Sequence, residues 1–471
     1  MQGGVGHLPL ELGEAVLDLG DQLIDHAPIV AHPPDQAPPV RKHPRGRPGR
    51  HLHAWLLRHR PALLGAGYMG ALLAVVGPGV LAGLSDDDPA GITTYSILGA
   101  KYGYEMLWVL AVSTAALIVF HLLGARMGVV TRKGLLTLVR QRHGVTEARL
   151  VLAALVVANV GTMCAEFAGV AASLELLAGI SRYATVPLAG IAVSALVLRG
   201  SFFRVEHVLL ALSAVFVTYV VSGLLAHPDW GAAARGLVVP HLPLTRDAVL
   251  VAVATIGTTL APWGLVFIQS YAADKHLRLK DLRFENVDVV VGALLTGVIG
   301  FFVVIACAAT LHVNGIDIND ASDAAKALEP LAGSSASTLF GVGFLGAALL
   351  AAAVVPLSTA YSVAETQGKP ADVNDTFAEA PLFYLSFGGV VVVAAVLVLI
   401  PGAPLIPILF LSQALNAVLL LVMLPVMRRL ATDTELMGDE ALGTTGRIVT
   451  GVGLALIAMS VLALGVLTIL G

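Results

Sequence analysis

Residues 77–100 read GPGVLAGLSDDDPAGITTYSILGA, an apolar run interrupted at its middle by Asp88, Pro89, Ala90 and Gly91. Proline has no N–H and its ring blocks the preceding helical turn, and a glycine three positions after the aspartate loosens the chain further. A helix crossing this stretch has to stop and restart. The same pattern returns in residues 251–270, VAVATIGTTLAPWGLVFIQS, with Ala261, Pro262, Trp263 and Gly264 at the middle. Carbonyls freed at such a depth are tolerated in a membrane only where they line a cavity or hold an ion.

That the surroundings are a membrane follows from composition. Of 471 residues, 57% are apolar and 13% charged, with a mean hydropathy of +0.84. A soluble surface needs roughly twice that share of charge. The apolar residues also come in blocks of about 20 or more, enough to cross a hydrocarbon core of ~30 Å. The fold class is therefore an all-α multi-span membrane protein. A net charge of −4 argues against a nucleic-acid partner. Cys164 and Cys307 lie in apolar segments with no CxxC or Cys/His ladder, so they read as small core residues.

Eleven apolar segments follow residue 60, at about 64–100, 104–125, 148–178, 184–200, 205–226, 248–273, 285–313, 336–366, 381–402, 404–428 and 446–470. If the N-terminus is cytoplasmic, 23 of the 28 Lys and Arg residues fall on the cytoplasmic side, which is the favoured orientation. Segments one and six carry the interruptions. Their spacing of five predicts two inverted five-helix repeats, about 64–226 and 248–428, followed by an extra helix at 446–470. Interrupted helices at matching positions of inverted repeats mark a transporter binding site. Residues 1–60 differ: one short amphipathic stretch, then a Pro-, Arg- and His-rich run at 31–53 that reads as a disordered basic tail, not a signal peptide. The membrane domain at 61–471 needs nothing from it.

Asp88 is the leading functional residue, because a carboxylate at membrane depth must be paired, protonated or bound to a cation. No Lys or Arg falls in the central part of another segment, so its partner comes from solution. Asp86 and Asp87 beside it read either as an acidic, hydrated vestibule or as plain solvated charge. Glu166, in VGTMCAEFAGVAAS, is the other deep acid, either a proton relay or a hydrogen-bonded helix contact. Gln413 is deep in the tenth segment and serves either as glue between helices or as an oxygen ligand. His121 and Glu105 fall near segment ends, where interfacial water suffices. Gly341, Gly343 and Gly346 match GxGxxG inside an apolar helix, which reads as packing, not a nucleotide site. No nucleophile triad, HExxH or Walker sequence is present, and no cofactor is implied. The chain does not read as an enzyme.

The interrupted first segment and the KYGYEMLWVL after it resemble the DPGN segment and following helix of the Nramp divalent-metal transporters. ARMGVVTRKGLLTLVRQRHG, AEFAGVAASLELLAGI and LFLSQALNAVLLLVMLPVMRRL are similar in the same way. The resemblance implies a LeuT-like arrangement and a metal site at the two breaks. Carried over residue by residue, the metal-binding aspartate is Asp88, the asparagine position is Gly91 and the methionine position is Ala261. The implied carbonyl donors are Ser85 and Thr258, and Gln413 matches a glutamine near the site. The family's site-proximal histidine is replaced by Trp263, and its proton-handling aspartate by Met163, while Glu166 is kept. This set of losses resembles the Nramp-related magnesium transporter branch. The chemistry agrees: Mg²⁺ takes oxygen ligands and keeps several waters, whereas a thioether favours softer metals.

The sequence therefore points to a cell-membrane importer of hydrated Mg²⁺ and Mn²⁺, embedded in the lipid bilayer and not coupled to protons. A proton-coupled Mn²⁺/Fe²⁺ importer is the first alternative. An organic-solute symporter of the same architecture is the second, although the acidic run at Asp86–Asp88 opposes an anionic group there. A metal sensor would want a large soluble output domain. No sequence feature sets an oligomeric state.

Overall fold

The computed structural model describes residues 87–198, 218–274, 279, 282–319, 321–369 and 377–470. The expected tail, the first half of the first segment with Ser85 and Asp86, and the start of the fifth segment lie outside these residues. Among the described residues the chain is helical and carries no strand. The helices are α1 (Pro89–Tyr102), α2 (Leu107–Thr131), α3 (Leu135–Arg142), α4 (Val145–Ala178), α5 (Arg182–Leu198), α6 (Thr218–Leu225) and α7 (Trp230–Val238). There follow α8 (Arg246–Thr259), α9 (Pro262–Asp274), α10 (Leu282–Cys307, running into a π-helical turn at Ala308–His312), α11 (Ala336–Gln367), α12 (Pro381–Val398), α13 (Leu405–Ala431) and α14 (Thr444–Leu470). Counting α8 and α9 as one broken span, eight of the described spans are long and apolar enough to cross a membrane.

Local chemistry sets the ends. Helix α4 closes on Gly179, left-handed at φ 65°, whose N–H reaches the Glu175 carbonyl, a conformation that suits a residue without Cβ. At 34 residues α4 is about 51 Å long at 1.5 Å per residue, and it forms the spine of the bundle. It packs on α11, α13 and α12, while α2 lies along α9 and α10, and α8 is held between α13 and α1. Helix α14 packs on α8, α13 and α2 and leaves Ile448, Val452, Met459, Leu462 and Val466 outward, the apolar face a lipid-exposed helix requires.

Two expectations are corrected. Helix α2 continues six residues beyond the expected end at 125, to Thr131. His121 is therefore the fifteenth residue of a 25-residue helix and 1% exposed, far from interfacial water. Arg126, counted among the loop cations, is also inside α2 and buried, with its Nη1 3.8 Å from Glu440. Glu105 does sit in an exposed turn, 3.7 Å from His241. The two cysteines are free and buried, and the GxGxxG glycines lie within α11, where a Cβ on Gly341 would come 2.8 Å from Leu177.

Candidate cation site

Helix α1 begins at the first break because Asp88 caps it. The Asp88 backbone is extended (φ −74°, ψ 170°), and Oδ1 accepts a hydrogen bond from the Gly91 N–H at 2.6 Å. Pro89 stands at the first helical position, where a missing N–H costs nothing. The carboxylate thus sits at the positive end of the half-helix dipole. Spine helix α4 crosses this cap closely: a Cβ on Gly169 would fall 2.6 Å from Pro89 Cβ. One turn earlier on α4, the fully buried Glu166 places its carboxyl against that of Asp88. Two carboxylates in contact repel unless a proton or a cation lies between them. Among the described residues no protein donor reaches either Glu166 oxygen. Asp87 is also buried, so it does not line an open vestibule.

The second break falls at the expected place. Helix α8 stops at Thr259, Leu260 N–H closes on the Ile256 carbonyl at 2.9 Å, and α9 restarts at Pro262. The carbonyl of Thr258 would take its helical partner from residue 262, which is proline and has no N–H. Its hydroxyl is buried with no partner among the described residues. The Ala261 carbonyl is occupied, accepting from Gly264 at 3.1 Å and Leu265 at 3.4 Å. Tyr95 donates to Thr259 Oγ1 at 3.0 Å, since Thr259 spends its own proton on the Thr255 carbonyl. That bond ties α1 to α8 beside the two breaks.

Helix α13 forms the neighbouring wall. A Cβ on Gly257 would lie 1.9 Å from the Gln413 carbonyl oxygen, so glycine is what lets the two backbones meet. Gln413 Nε2 donates to Ser412 Oγ at 2.9 Å and its Oε1 accepts from Asn416 at 3.0 Å, while Asn416 also donates to Thr162 Oγ1 at 3.1 Å. Gln413 is thus bonded within α13, and Asn416 makes the link to α4. Met163, Cys164, Ala261, Trp263 and Phe267 belong to one apolar cluster with Leu350 and Ala351 of α11. The positions that depart from the family pattern on α4 and α9 therefore belong to one buried apolar cluster.

Asp88, Gly91 and Glu166 meet at the first break, and Thr258, Ala261 and Trp263 lie at the second. Sequence reasoning missed the polar face of α4, where Asn159 donates to Thr359 Oγ1 at 2.8 Å and Thr162 bonds Asn416. The signal was present: residues 159, 162 and 166 recur at helical spacing in an apolar run. It also missed Glu365, which accepts from the backbone N–H groups of Leu136 (3.0 Å) and Thr137 (3.3 Å) and from Ser270 Oγ (2.9 Å). This links α11, α3 and α9 at the end of the bundle rich in Lys and Arg. A lone acid in a last helical turn gives no warning of such a role.

Among the described residues, a span broken between α8 and α9 and a buried acid capping α1 define a membrane protein of the LeuT-like transporter fold. The bis-isothiourea complex of the Eremococcus coleocola manganese transporter superposes with a TM-score of 0.68 at 19% identity, covering 84% of this chain and 86% of that one. MhsT in complex with L-phenylalanine gives 0.52 at 15% identity, over 82% of this chain and 98% of that one. The family is narrower than the fold. The model of the Nramp family (natural resistance-associated macrophage protein-like) matches residues 79–468, and the chain belongs to that family. The divalent metal cation transporter MntH of Burkholderia ambifaria is 33% identical over 287 residues, which is 59% of this chain and 65% of that protein. The match thus spans just under two-thirds of that relative.

Proposed function

We propose that this protein imports hydrated divalent cations, Mg²⁺ and Mn²⁺, across the cell membrane without carrying protons along. The observation behind the reading is the contact of two buried carboxyls, Asp88 and Glu166, at the cap of a broken helix. A divalent cation is the partner that matches two negative charges at that depth. In this reading Asp88 is the charged ligand, and the carbonyls of Ser85 and Thr258 add hard oxygen donors. Gly91 and Ala261 leave room for the water that Mg²⁺ sheds reluctantly, and Gln413 holds the wall. The names of the relatives support the metal class, and the oxygen-only donor set supports including Mg²⁺. The cytoplasmic N-terminus rests on the Lys and Arg count. A divalent ion gains about 4.6 kcal/mol per 100 mV of membrane potential, twice the single-charge value, which is ample drive without protons.

Reconstitution into liposomes, with Mg²⁺, Mn²⁺ and Ca²⁺ uptake compared, tests the reading. Uptake of Mn²⁺ and Mg²⁺ that is lost in Asp88→Asn is expected; uptake equal to protein-free vesicles would overturn it. The second reading, a proton-coupled Mn²⁺ importer, is favoured by the position of Glu166, which is close enough to Asp88 for its proton to feel an arriving cation. A pH dye inside the vesicles at clamped potential separates the two. Acidification that tracks Mn²⁺ influx and vanishes in Glu166→Gln selects the coupled reading.

A further inference from the structure

Glu365, in the last turn of α11, holds two different elements with its two oxygens. Oε2 accepts from the backbone N–H groups of Leu136 (3.0 Å) and Thr137 (3.3 Å), and Oε1 accepts from Ser270 Oγ at 2.9 Å. The first pair is a helix cap supplied from outside. The opening N–H groups of a helix lack partners within it, and the residue just before the helix ordinarily offers the oxygen. For α3 that residue is Gly134, which has no side chain to offer. Its backbone is extended (φ −72°, ψ 166°), a conformation any residue adopts, yet a Cβ there would collide with Glu365 Oε1. Glycine at 134 makes room for a carboxylate arriving from another helix.

The second oxygen crosses a seam. Ser358 Oγ donates to the Trp263 carbonyl at 3.3 Å, so residues 358 and 365 of α11 match residues 263 and 270 of α9. The spacing is the same on both, and the two helices run parallel and in step. Ser362, at 0% exposure, falls between the two contacts on the same face of α11 at ~100° per residue. Helix α9 lies along α2, and Gln269 Nε2 donates to the Lys133 carbonyl just past the end of α2 at 3.2 Å. Helices α11 and α3 pack on the spine α4 instead. The seam therefore separates two bodies, α2 with α9 and α4 with α11 and α3. One end of it is the second break, where Leu260 and Ala261 lie outside both half-helices. The other end, ~12 Å along α9 at 1.5 Å per residue, is the Glu365 carboxylate.

We propose that Glu365 is the latch of this seam. With Ser270 bound it keeps α9 against α11; its release lets α9 swing about the second break and opens a path from the cation site to the Lys- and Arg-rich end. This rests on the transport reading above and deepens it by naming the residue that controls access from one end. The bond from Ser270 goes to a charged acceptor, and losing such a bond shifts a closed–open equilibrium about tenfold or more. Gly134 belongs to the device because the carboxylate reaches Ser270 only while position 134 carries no side chain.

The test uses the full chain in nanodiscs carrying Ser362→Cys, a near-isosteric change under the seam, reacted with a water-soluble maleimide and read peptide by peptide by mass spectrometry. Labelling at 362 should be slow with the latch intact. It should become about tenfold faster in Ser270→Ala and in Gly134→Ala, and no faster still when the two are combined, because either change alone opens the same latch. The native Cys164 and Cys307, both buried, should stay unreacted throughout. Unchanged labelling at 362 overturns the proposal. So does acceleration that multiplies in the double variant, or acceleration shared by Cys164 and Cys307, since each marks general loosening. Ser270→Ala removes a single hydroxyl and decides the matter even if Gly134→Ala does not fold. No metal is needed for the labelling. A seam that labels as expected in a protein that moves no cation therefore supports the latch and refutes the transport reading alone.

Discussion

Replacing Asp88 by asparagine separates two roles that one side chain combines. Its Oδ1 caps α1 by accepting from Gly91 at 2.6 Å, and its charge faces Glu166 and the cation. Asparagine caps a helix about as well as aspartate, so the fold should lose well under ~1 kcal/mol. The charge is another matter. Removing one partner of a buried ion pair costs about 3–5 kcal/mol, and at about 1.4 kcal/mol per factor of ten that is roughly two to three and a half orders of magnitude in cation affinity. Asp88→Asn should therefore elute as the wild type does on size exclusion and melt within a degree or two of it. Its Mn²⁺ and Mg²⁺ uptake into liposomes should fall at least about a hundredfold at sub-saturating metal. Asp88→Ala should show the same loss of uptake plus a stability deficit of about 1 kcal/mol from the missing cap. A folded Asp88→Asn protein whose uptake stays within a few-fold of wild type would refute the assignment of Asp88 as the charged ligand.

Three further outcomes follow from the geometry. The double change Gly91→Asn and Ala261→Met adds an amide and a thioether where water has room; it should raise the Mn²⁺ to Mg²⁺ uptake ratio several-fold, measured by paired dye assays, and an unchanged ratio contradicts the account. Gly257→Ala puts a methyl 1.9 Å from the Gln413 carbonyl oxygen, backbone that cannot rotate away; overpacking of about 1–3 kcal/mol should lower the melting temperature by several degrees and reduce uptake. At the Lys- and Arg-rich end, Arg142 bonds Asp433 at 2.6 and 2.9 Å and holds its carboxyl below the usual value. A depressed carboxyl contributes stability above its unfolded value, near 3.9, and loses it as pH falls through the lower folded value. Melting temperature should therefore drop below about pH 4, by less in Asp433→Asn; equal acid sensitivity would count against the pair.

The helical breaks were legible because proline acts locally: Pro89 and Pro262 each remove a bond wherever the rest of the chain lies. Thr258 entered only through the family resemblance, although Pro262 four positions on removes the helical donor of its carbonyl. Legibility failed where an effect depends on how far a helix runs. Hydropathy falls at Arg126, so the second segment reads as ending there, yet α2 continues because Arg126 has Glu440 nearby and the Gly124 and Gly128 face packs on α9. That extension changes His121 from a boundary residue to a buried one. The side-chain bonds of Gln413 to Ser412 and Asn416 within α13 depend on rotamers that a sequence does not display. The Glu365 contacts to Leu136 and Thr137 join segments more than two hundred residues apart in sequence, which no local pattern announces.

The departures from the family pattern make physical sense as one change rather than three. Met163, Ala261 and Trp263 belong to one packed apolar cluster, so a titratable group restored at 163 or 263 would be buried in apolar surroundings, at a cost of several kcal/mol. With that side apolar, the charge that opposes a cation is concentrated on the α1–α4 side, in Asp88 and Glu166. A cation held from one side keeps water on the other, because a hard divalent ion completes its shell with solvent when the protein offers no donor. Restoring aspartate at Met163 alone should consequently destabilise the protein without creating proton transport. Doing so together with Trp263→His should recover part of the stability, because each new polar group gives the other a partner. A thermal melt of the two single variants and the double variant measures that coupling, and strict additivity would show that the two positions are independent.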